Sequence, residues 1–370
     1  MTKIKVLYLV GSNKFSGAEN VVCTIINNVN NNIDSLYCCP KGPIEEQLKI
    51  RKINYKLINK LNYSCLKKIV NEYNPDYIHA HDYRATFYAS FFYKKCKIIA
   101  HIHVNNPVMT QKNFYSVFFN YVFKKVNNII WVSDSAFDNY YYRKKVISKS
   151  QVIYNVIDSN YIKKRSQEYS CKEKYDLVFI GRLSTQKNPE RLIELIELIK
   201  QNKTSIKLAI VGDGEKKEEI INLIKEKKLS KNIKIFGFQD NPYPILNNSQ
   251  LLILTSRWEG TPMVALEAQA LGKPIISTPV DGMKKIIKND YNGYLSENNV
   301  DLVNHVISYL DEKTYLNLSK NVKENFRKIN NEKEYYKNIR LEESRLGDNK
   351  VKLARKQYRG KGKYIDEILV

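Results

Sequence analysis

The chain has 370 residues, 43% hydrophobic and 27% charged, a globular composition long enough for two domains of about 150–200 residues and unlike that of a disordered chain. Its 61 Lys and Arg against 38 Asp and Glu leave a formal net charge of +23, which points to an anionic partner: nucleic acid, a membrane surface or a phosphorylated substrate. No apolar run reaches the ~20 residues that span a bilayer, and the six cysteines show no CxxC and no paired spacing, so neither a zinc site nor a disulfide framework is indicated. With no leader-like apolar segment at Met1–Lys5, the expectation is a soluble, cytoplasmic protein.

Short apolar runs alternate with amphipathic stretches along the whole chain. In the first half, strands are expected at Ile4–Val10, Ser35–Cys39, Tyr55–Ile58, Tyr77–Ala80, Lys97–Ile102, Asn128–Val132 and Gln151–Tyr154, with a helix over Gly17–Asn28 and further helices between them. The polar stretch Asp158–Lys174 has no apolar period and reads as a linker. The second half repeats the rhythm, with strands at Asp176–Ile180, Lys207–Val211, Lys234–Phe236, Leu251–Leu254 and Pro274–Ser277. Helices are expected at Pro189–Lys200, Lys216–Lys228 and Pro262–Leu271, and a helical pattern continues from about Asn299 to Leu346. The resulting class is α/β, two Rossmann-like doubly wound domains facing across a cleft. The boundaries are drawn at 1–160, 161–330, and a C-terminal helix with a basic tail over 331–370.

The charge is unevenly spread: residues 1–165 carry a net +15, residues 166–346 a net +4 and residues 347–370 another +4. A Lys-rich composition alone would load both halves alike, so a basic face on the first domain is expected.

Ligands of open α/β sheets bind at the carboxyl ends of strands, where loops and helix starts present free N–H groups. The most informative such loop is Ser256-Arg257-Trp258-Glu259-Gly260-Thr261-Pro262, which leads into a helix that Pro262 can open. Glu259 on the loop and Glu267 on the helix can both accept hydrogen bonds from hydroxyls of one ligand. Glu267 sits among Val264, Ala265, Leu266 and Ala268, where an unpaired carboxylate is costly. Upstream, Gly181-Arg182-Leu183-Ser184-Thr185-Gln186-Lys187-Asn188-Pro189 sets two cations beside a helix start, which suits a diphosphate. Val211-Gly212-Asp213-Gly214 is a further glycine loop after a strand.

These motifs, followed by Ala270-Leu271-Gly272-Lys273-Pro274, resemble in order and spacing the retaining glycosyltransferases of the GT-B fold, family 4, across roughly residues 175–290. The resemblance implies a nucleotide-diphosphate sugar, expected to be a UDP-sugar, held by the second domain. Arg182 and Lys187 would bind its diphosphate, Glu267 the ribose hydroxyls, and Glu259 would face the transferred sugar. Gly181, Gly212, Asp213, Gly260, Thr261 and Pro262 belong to the same implied donor site.

In the first half, Ser16-Gly17-Ala18-Glu19 resembles the family's glycine-rich loop, with Ser16 in place of its first glycine; Gly17 allows close approach of a ligand to a helix start. Four of the five histidines form two pairs, His79/His81 and His101/His103, each ending a strand. Such a cluster can hold a metal, but no accompanying carboxylates are evident and the family works without one, so no metal and no cofactor are expected. The family pattern matches His103 to a cleft histidine that would hydrogen-bond the transferred sugar or help to orient the acceptor; His101 is read as structural, and His81 with Asp82 is a candidate for lining the acceptor cleft. Asn155-Val156-Ile157-Asp158 resembles the family's interdomain hinge, with Val156 where glycine is usual. Two stretches interleave rings and cations, Phe114–Lys125 and Phe137–Lys145. The first reads equally as a core-facing helix with basic ends, so the second is the candidate for a headgroup interface.

The expected activity is therefore a metal-independent retaining glycosyltransferase acting on a lipid-linked saccharide at an anionic membrane surface, peripheral at the inner face, in envelope polysaccharide biosynthesis. A nucleic-acid-binding protein is the reading from another class, although no zinc spacing, RNP pair or recognition helix supports it. A sugar-nucleotide epimerase or a phosphorylase on the same fold is the third.

Overall fold

The computed structural model describes residues 3–28, 32–104, 106–171 and 173–344; the expected basic tail lies outside them. Buried parallel strands read as continuous apolar runs, and the chain forms two sheets of them. The first contains β1 (Ile4–Val10), β2 (Ile33–Pro40), β3 (Tyr55–Ile58), β4 (Tyr77–His81), β5 (Lys97–Ile102), β6 (Asn128–Trp131) and β7 (Ser150–Val152). Its order is β3-β2-β1-β4-β5-β6-β7, with all pairings parallel. The second contains β8 (Tyr175–Ile180), β9 (Leu208–Val211), β10 (Ile233–Gly237), β11 (Ser249–Leu254), β12 (Ile275–Ser277) and β13 (Gly293–Leu295). It is likewise parallel, in the order β10-β9-β8-β11-β12-β13.

The strand order reverses between β1 and β4 and again between β8 and β11. At such switch points the crossovers leave to opposite sides and open a crevice at the carboxyl edge. The carboxyl ends of these four strands and the segments that follow them carry Gly17, His81, Gly181 through Lys187, and Glu259. Topology thus gathers the sequence motifs at two facing edges.

Three expectations need correction. The presumed linker contains a helix, Ser159–Arg165, because Asp158 caps it by accepting from the Tyr161 N–H at 2.9 Å and Ile162 anchors it in the core. One cap and one anchor leave no period to detect. The strand β13 was not expected; its three residues extend the sheet beside β12. Finally, Phe137–Lys145 is not free of core residues: Tyr140 is fully buried, 5.4 Å from the Phe123 ring and 5.5 Å from Trp131, while Tyr141, Lys144 and Lys145 remain exposed. The helix Phe114–Lys124 turns Phe119, Val122 and Phe123 inward at helical spacing and leaves Phe114, Tyr115 and Tyr121 exposed.

The chain crosses between the sheets twice. It leaves the first after β7, and the helical C-terminal region returns through Asn330, between the helices Glu312–Ile329 and Glu332–Ser344, to pack on the helix Gly17–Asn28. Asn330 clasps the two crossings: its Oδ1 accepts from the Ile157 N–H and its Nδ2 donates to the Ile157 carbonyl, each at 2.9 Å. Asn330→Ala strips both bonds and is expected to cost about 1–3 kcal/mol, read as a lower urea midpoint. A midpoint equal to the parent's would count against the clasp.

Candidate functional site

On the second domain the post-strand loops interlock through backbone. The Gly181 N–H donates to Val211 O at 3.0 Å, Leu183 N–H to Asp213 O at 3.0 Å and Gly212 N–H to Gly237 O at 2.8 Å. Gly212 has φ +145°, and a Cβ there would stand 1.9 Å from the Gly181 carbonyl oxygen, so a side chain is excluded. Arg182 is exposed on this platform and forms no ion pair among the described residues. Asp213 is held below the usual carboxylate range, first by its hydrogen bond with Lys217 at 2.8 Å and then by the Gly214 N–H.

Lys187 leaves the same loop and pairs with Glu259, whose Oε1 also accepts from Ser256 Oγ at 2.7 Å. The loops after β8 and β11 are stitched to each other: Thr255 Oγ1 donates to Lys187 O at 3.0 Å, Arg257 N–H to Gln186 O at 2.8 Å and Gln186 Nε2 to Trp258 O at 2.9 Å. Lys187 and Glu259 are both largely removed from solvent, so each fixes the other's position.

Pro262 starts the helix Met263–Ala270, which carries Glu267 inward. Burial raises the Glu267 carboxyl to about 7, against the opposing pull of the Tyr243 hydroxyl, which donates to it at 3.1 Å, and of Arg51. Arg51 comes from the first domain, where its guanidinium stacks 4.8 Å from the Phe15 ring and 5.1 Å from Tyr161.

The two edges meet closely. A Cβ on Gly260 would lie 2.6 Å from the His103 carbonyl oxygen and one on Gly17 3.1 Å from Met263 Cγ, while within the second domain one on Gly282 would lie 1.5 Å from Gly260 O. Thr261 Oγ1 donates to Val132 O across the same gap at 2.8 Å. His103 therefore faces the Glu259–Thr261 loop, with Gly17 beside the start of the helix that bears Glu267.

All four paired histidines lie on one face of the first sheet as a stack, with ring centroids 4.5 Å apart for His79 and His81, 5.0 Å for His81 and His101, and 4.3 Å for His101 and His103. His81 Nδ1 and His103 Nε2 share a hydrogen bond of 2.8 Å. Burial drives His81 and His101 well down, and takes His103 to about 3, so these rings are neutral. Beside them, loss of water around Asp82 lifts its carboxyl to about 7, although it accepts from the His103 N–H at 3.2 Å. His79, His81 and His101 offer nitrogens within 4.8 Å of one another and are the metal-capable group among the described residues. His79 stacks on His81 and His101 at interplanar angles of 26° and 14°, so ring packing is what brings these nitrogens together.

The structure thus gathers Gly181, Arg182, Lys187, Glu259, Gly260, Thr261, Pro262 and Glu267 at one edge, with Gly212 and Asp213 beneath the Arg182 loop and Gly17, His81 and His103 opposite. Sequence reasoning missed Ser256, Tyr243, Arg51 and Gly282 as supports. Gly282 had a signal, the Asp281-Gly282 pair that follows Pro279-Val280; Tyr243 and Arg51 had none, because they reach Glu267 only through tertiary packing.

Residues 161–329 match the family described as Glycosyl transferases group 1, and residues 15–161 match Glycosyltransferase Family 4. Over 79% of this chain and 87% of the relative, the sequence is 28% identical to an uncharacterized 41.2 kDa protein in the cps region of Klebsiella pneumoniae. It is 31% identical, over 40% of each chain, to the UDP-Gal:alpha-D-GlcNAc-diphosphoundecaprenol alpha-1,3-galactosyltransferase of Escherichia coli. The structure of Anabaena HepE in complex with UDP-glucose superposes with a TM-score of 0.78 at 19% identity, covering 91% of this chain and 98% of that one, a likeness of fold. With the two family matches meeting at residue 161 and the two facing parallel sheets, the chain belongs to the group 1 glycosyltransferases and has their GT-B architecture.

Proposed function

We propose that this glycosyltransferase moves a sugar, with retention of anomeric configuration and without a metal, from a UDP-sugar to a membrane-associated, lipid-linked saccharide in envelope polysaccharide assembly. The observation that carries the reading is the gathering of Arg182, Lys187, Glu259 and Glu267 at one strand-end edge, with the Glu259–Thr261 loop packed so closely on the His103 backbone of the first domain that Gly260 admits no side chain. The names of the relatives agree with it: one acts from UDP-Gal on a diphosphoundecaprenol-linked sugar, another lies in a cps region, and the superposed structure holds UDP-glucose.

In this reading the donor diphosphate lies against Arg182, Lys187 and the Gly181 backbone, with the ribose hydroxyls on Glu267. The bond from the sugar's anomeric carbon to the β-phosphate oxygen breaks, and its electron pair stays with the phosphate. The acceptor hydroxyl bonds to the anomeric carbon on the same face and gives its proton to the departing phosphate oxygen. Arg182 and Lys187 counter the growing charge, the task a metal serves elsewhere. Glu259, already oriented by Ser256, accepts from hydroxyls of the transferred sugar. His103 Nε2 is occupied by His81, which leaves its buried Nδ1, without a hydrogen-bond partner among the described residues, for a sugar oxygen. His81 and Gly17 line the acceptor side.

Thermal unfolding with UDP, GDP, ADP, CMP and their sugar conjugates, without added metal, tests the donor site. A ligand of the native state raises the midpoint by mass action. The expected result is a shift with UDP-sugars that is lost in Arg182→Ala and Glu267→Ala. Lys187→Ala should lower kcat by about 10²–10³-fold in a chain that still folds, with a lowered unfolding midpoint because Glu259 loses its partner out of water. Full turnover in that variant would sink the assignment.

The raised Glu267 carboxyl gives a pH dependence with a definite sign. Ribose hydroxyls donate to the ionised form, while burial favours the protonated form in the free chain up to about pH 7. UDP-glucose affinity should therefore rise as pH increases through about 7, with proton release on binding, measured by calorimetry in buffers of different ionisation enthalpy. Glu267→Gln should bind more weakly and flatten the profile; an unchanged slope in that variant would place the titration elsewhere.

A further inference from the structure

From Tyr83 to Ser133 the chain carries seven Lys and Arg and no Asp or Glu. The structure gathers much of this acid-free segment on one outer face of the first domain, built from the helix Asp82–Ala89, the 3₁₀ turn Ser90–Phe92 and the helix Phe114–Lys124. Its rings form a continuous chain: Tyr63 to Phe91 at 5.5 Å, Phe91 to Phe87 at 5.2 Å, Phe87 to Phe118 at 5.3 Å and Phe118 to Phe114 at 6.2 Å. Phe114 is 78% exposed and Tyr121 60% exposed, on the side of their helix away from the core. Lys125 sits 6.0, 5.4 and 5.5 Å from the rings of Phe91, Tyr93 and Tyr121, and Lys124 flanks Tyr121 at 5.8 Å.

We propose that this ring-and-lysine face docks the protein on a bilayer containing anionic lipid. An exposed phenylalanine gains by leaving water, and tyrosine rings take the boundary where one end is apolar and the other wet. Lysines whose stems lie along those rings extend their ammonium groups to headgroup phosphates, and no carboxylate in the segment opposes the attraction. Protein interfaces are depleted in lysine, which disfavours a protein partner. The helix Phe114–Lys124 connects β5 to β6 and runs antiparallel to them, so its first turn, with Phe114, stands at the same carboxyl edge as His103. The Phe114 end of the face therefore borders the acceptor side of the cleft, with Lys124 and Lys125 toward the opposite edge of the sheet; that a lipid-linked acceptor enters there rests on the function proposed above.

The test is co-sedimentation of the full chain with vesicles of phosphatidylcholine alone or mixed with phosphatidylglycerol, with a UDP-glucose thermal shift measured in parallel. The parent should bind the anionic vesicles, less so as salt rises. The double variants Phe114→Ser/Tyr121→Ser and Lys124→Glu/Lys125→Glu should each lose at least about tenfold in partitioning, with the unfolding midpoint and the UDP-glucose shift unchanged. The proposal is overturned if the parent stays in the supernatant, if it ignores phosphatidylglycerol, or if both variants sediment as the parent does. It is also overturned if the Phe114 pair abolishes self-association, or the Lys124 pair RNA binding, in a parent that leaves vesicles alone. Vesicle binding without a nucleotide shift would leave this face standing and remove the donor reading; a nucleotide shift without vesicle binding would do the reverse.

Discussion

Backbone packed against backbone at the carboxyl edges is the constraint on which the site depends. Gly212 against Gly181, Gly282 against Gly260 and Gly260 against His103 are contacts in which a single added methyl would overlap a carbonyl. Loops that meet this way cannot slide by a residue without a clash, so the side chains they carry inherit fixed positions. Lys187 and Glu259 sit on two such loops. Their pairing, largely out of water, is tolerable because Ser256 adds a donor to the same carboxylate.

The two walls of the cleft differ in electrical character. On the second domain the groups are ionic, with Lys187 paired to Glu259 and Arg182 exposed. On the first, burial keeps His81, His101 and His103 neutral and pushes Asp82 toward protonation. A stack of charged imidazoles at these separations would be self-repelling; a neutral one packs like any set of aromatic rings. A ligand bridging the walls would have its charge met on one side only, while the other side offers oriented neutral hydrogen bonds.

Most of the architecture was legible in the sequence because parallel strands buried on both faces read as unbroken apolar runs. The bounds of β1, β3 and β5 follow from Ile4–Val10, Tyr55–Ile58 and Lys97–Ile102 alone. The motif loops were legible because glycine, proline and charge recur after those strands. The histidine stack was only half legible: alternation sets His79 with His81 and His101 with His103, but whether the pairs share a face depends on register. In the structure His81 stands opposite His101, which brings all four together, and no local pattern encodes that pairing. The Tyr243 and Arg51 contributions to Glu267 escape sequence reading for the same reason, since they arise from packing between elements distant in the chain. Tyr140 was misread because a ring flanked by Tyr141, Tyr142 and Arg143 looks like surface until Phe123 and Trp131 close over it.

The basic excess makes physical sense once partners are assigned to the lysines. In the second half many of them meet acids: Lys216 pairs with Glu190 and Glu219, Lys217 with Asp213, Lys227 with Glu197 and Lys234 with Glu173. Two of these pairs are only three or four residues apart, Lys216 with Glu219 and Lys217 with Asp213, so that charge is cancelled locally. Around Phe91, Tyr93 and Tyr121 the lysines meet ring faces instead. A ring can hold an ammonium in place without neutralising it, so the positive field survives there and is cancelled elsewhere. Composition bias alone would supply lysines to both halves; it does not explain why acids are withheld over a segment that turns Phe91, Tyr93, Phe114, Tyr115 and Tyr121 outward.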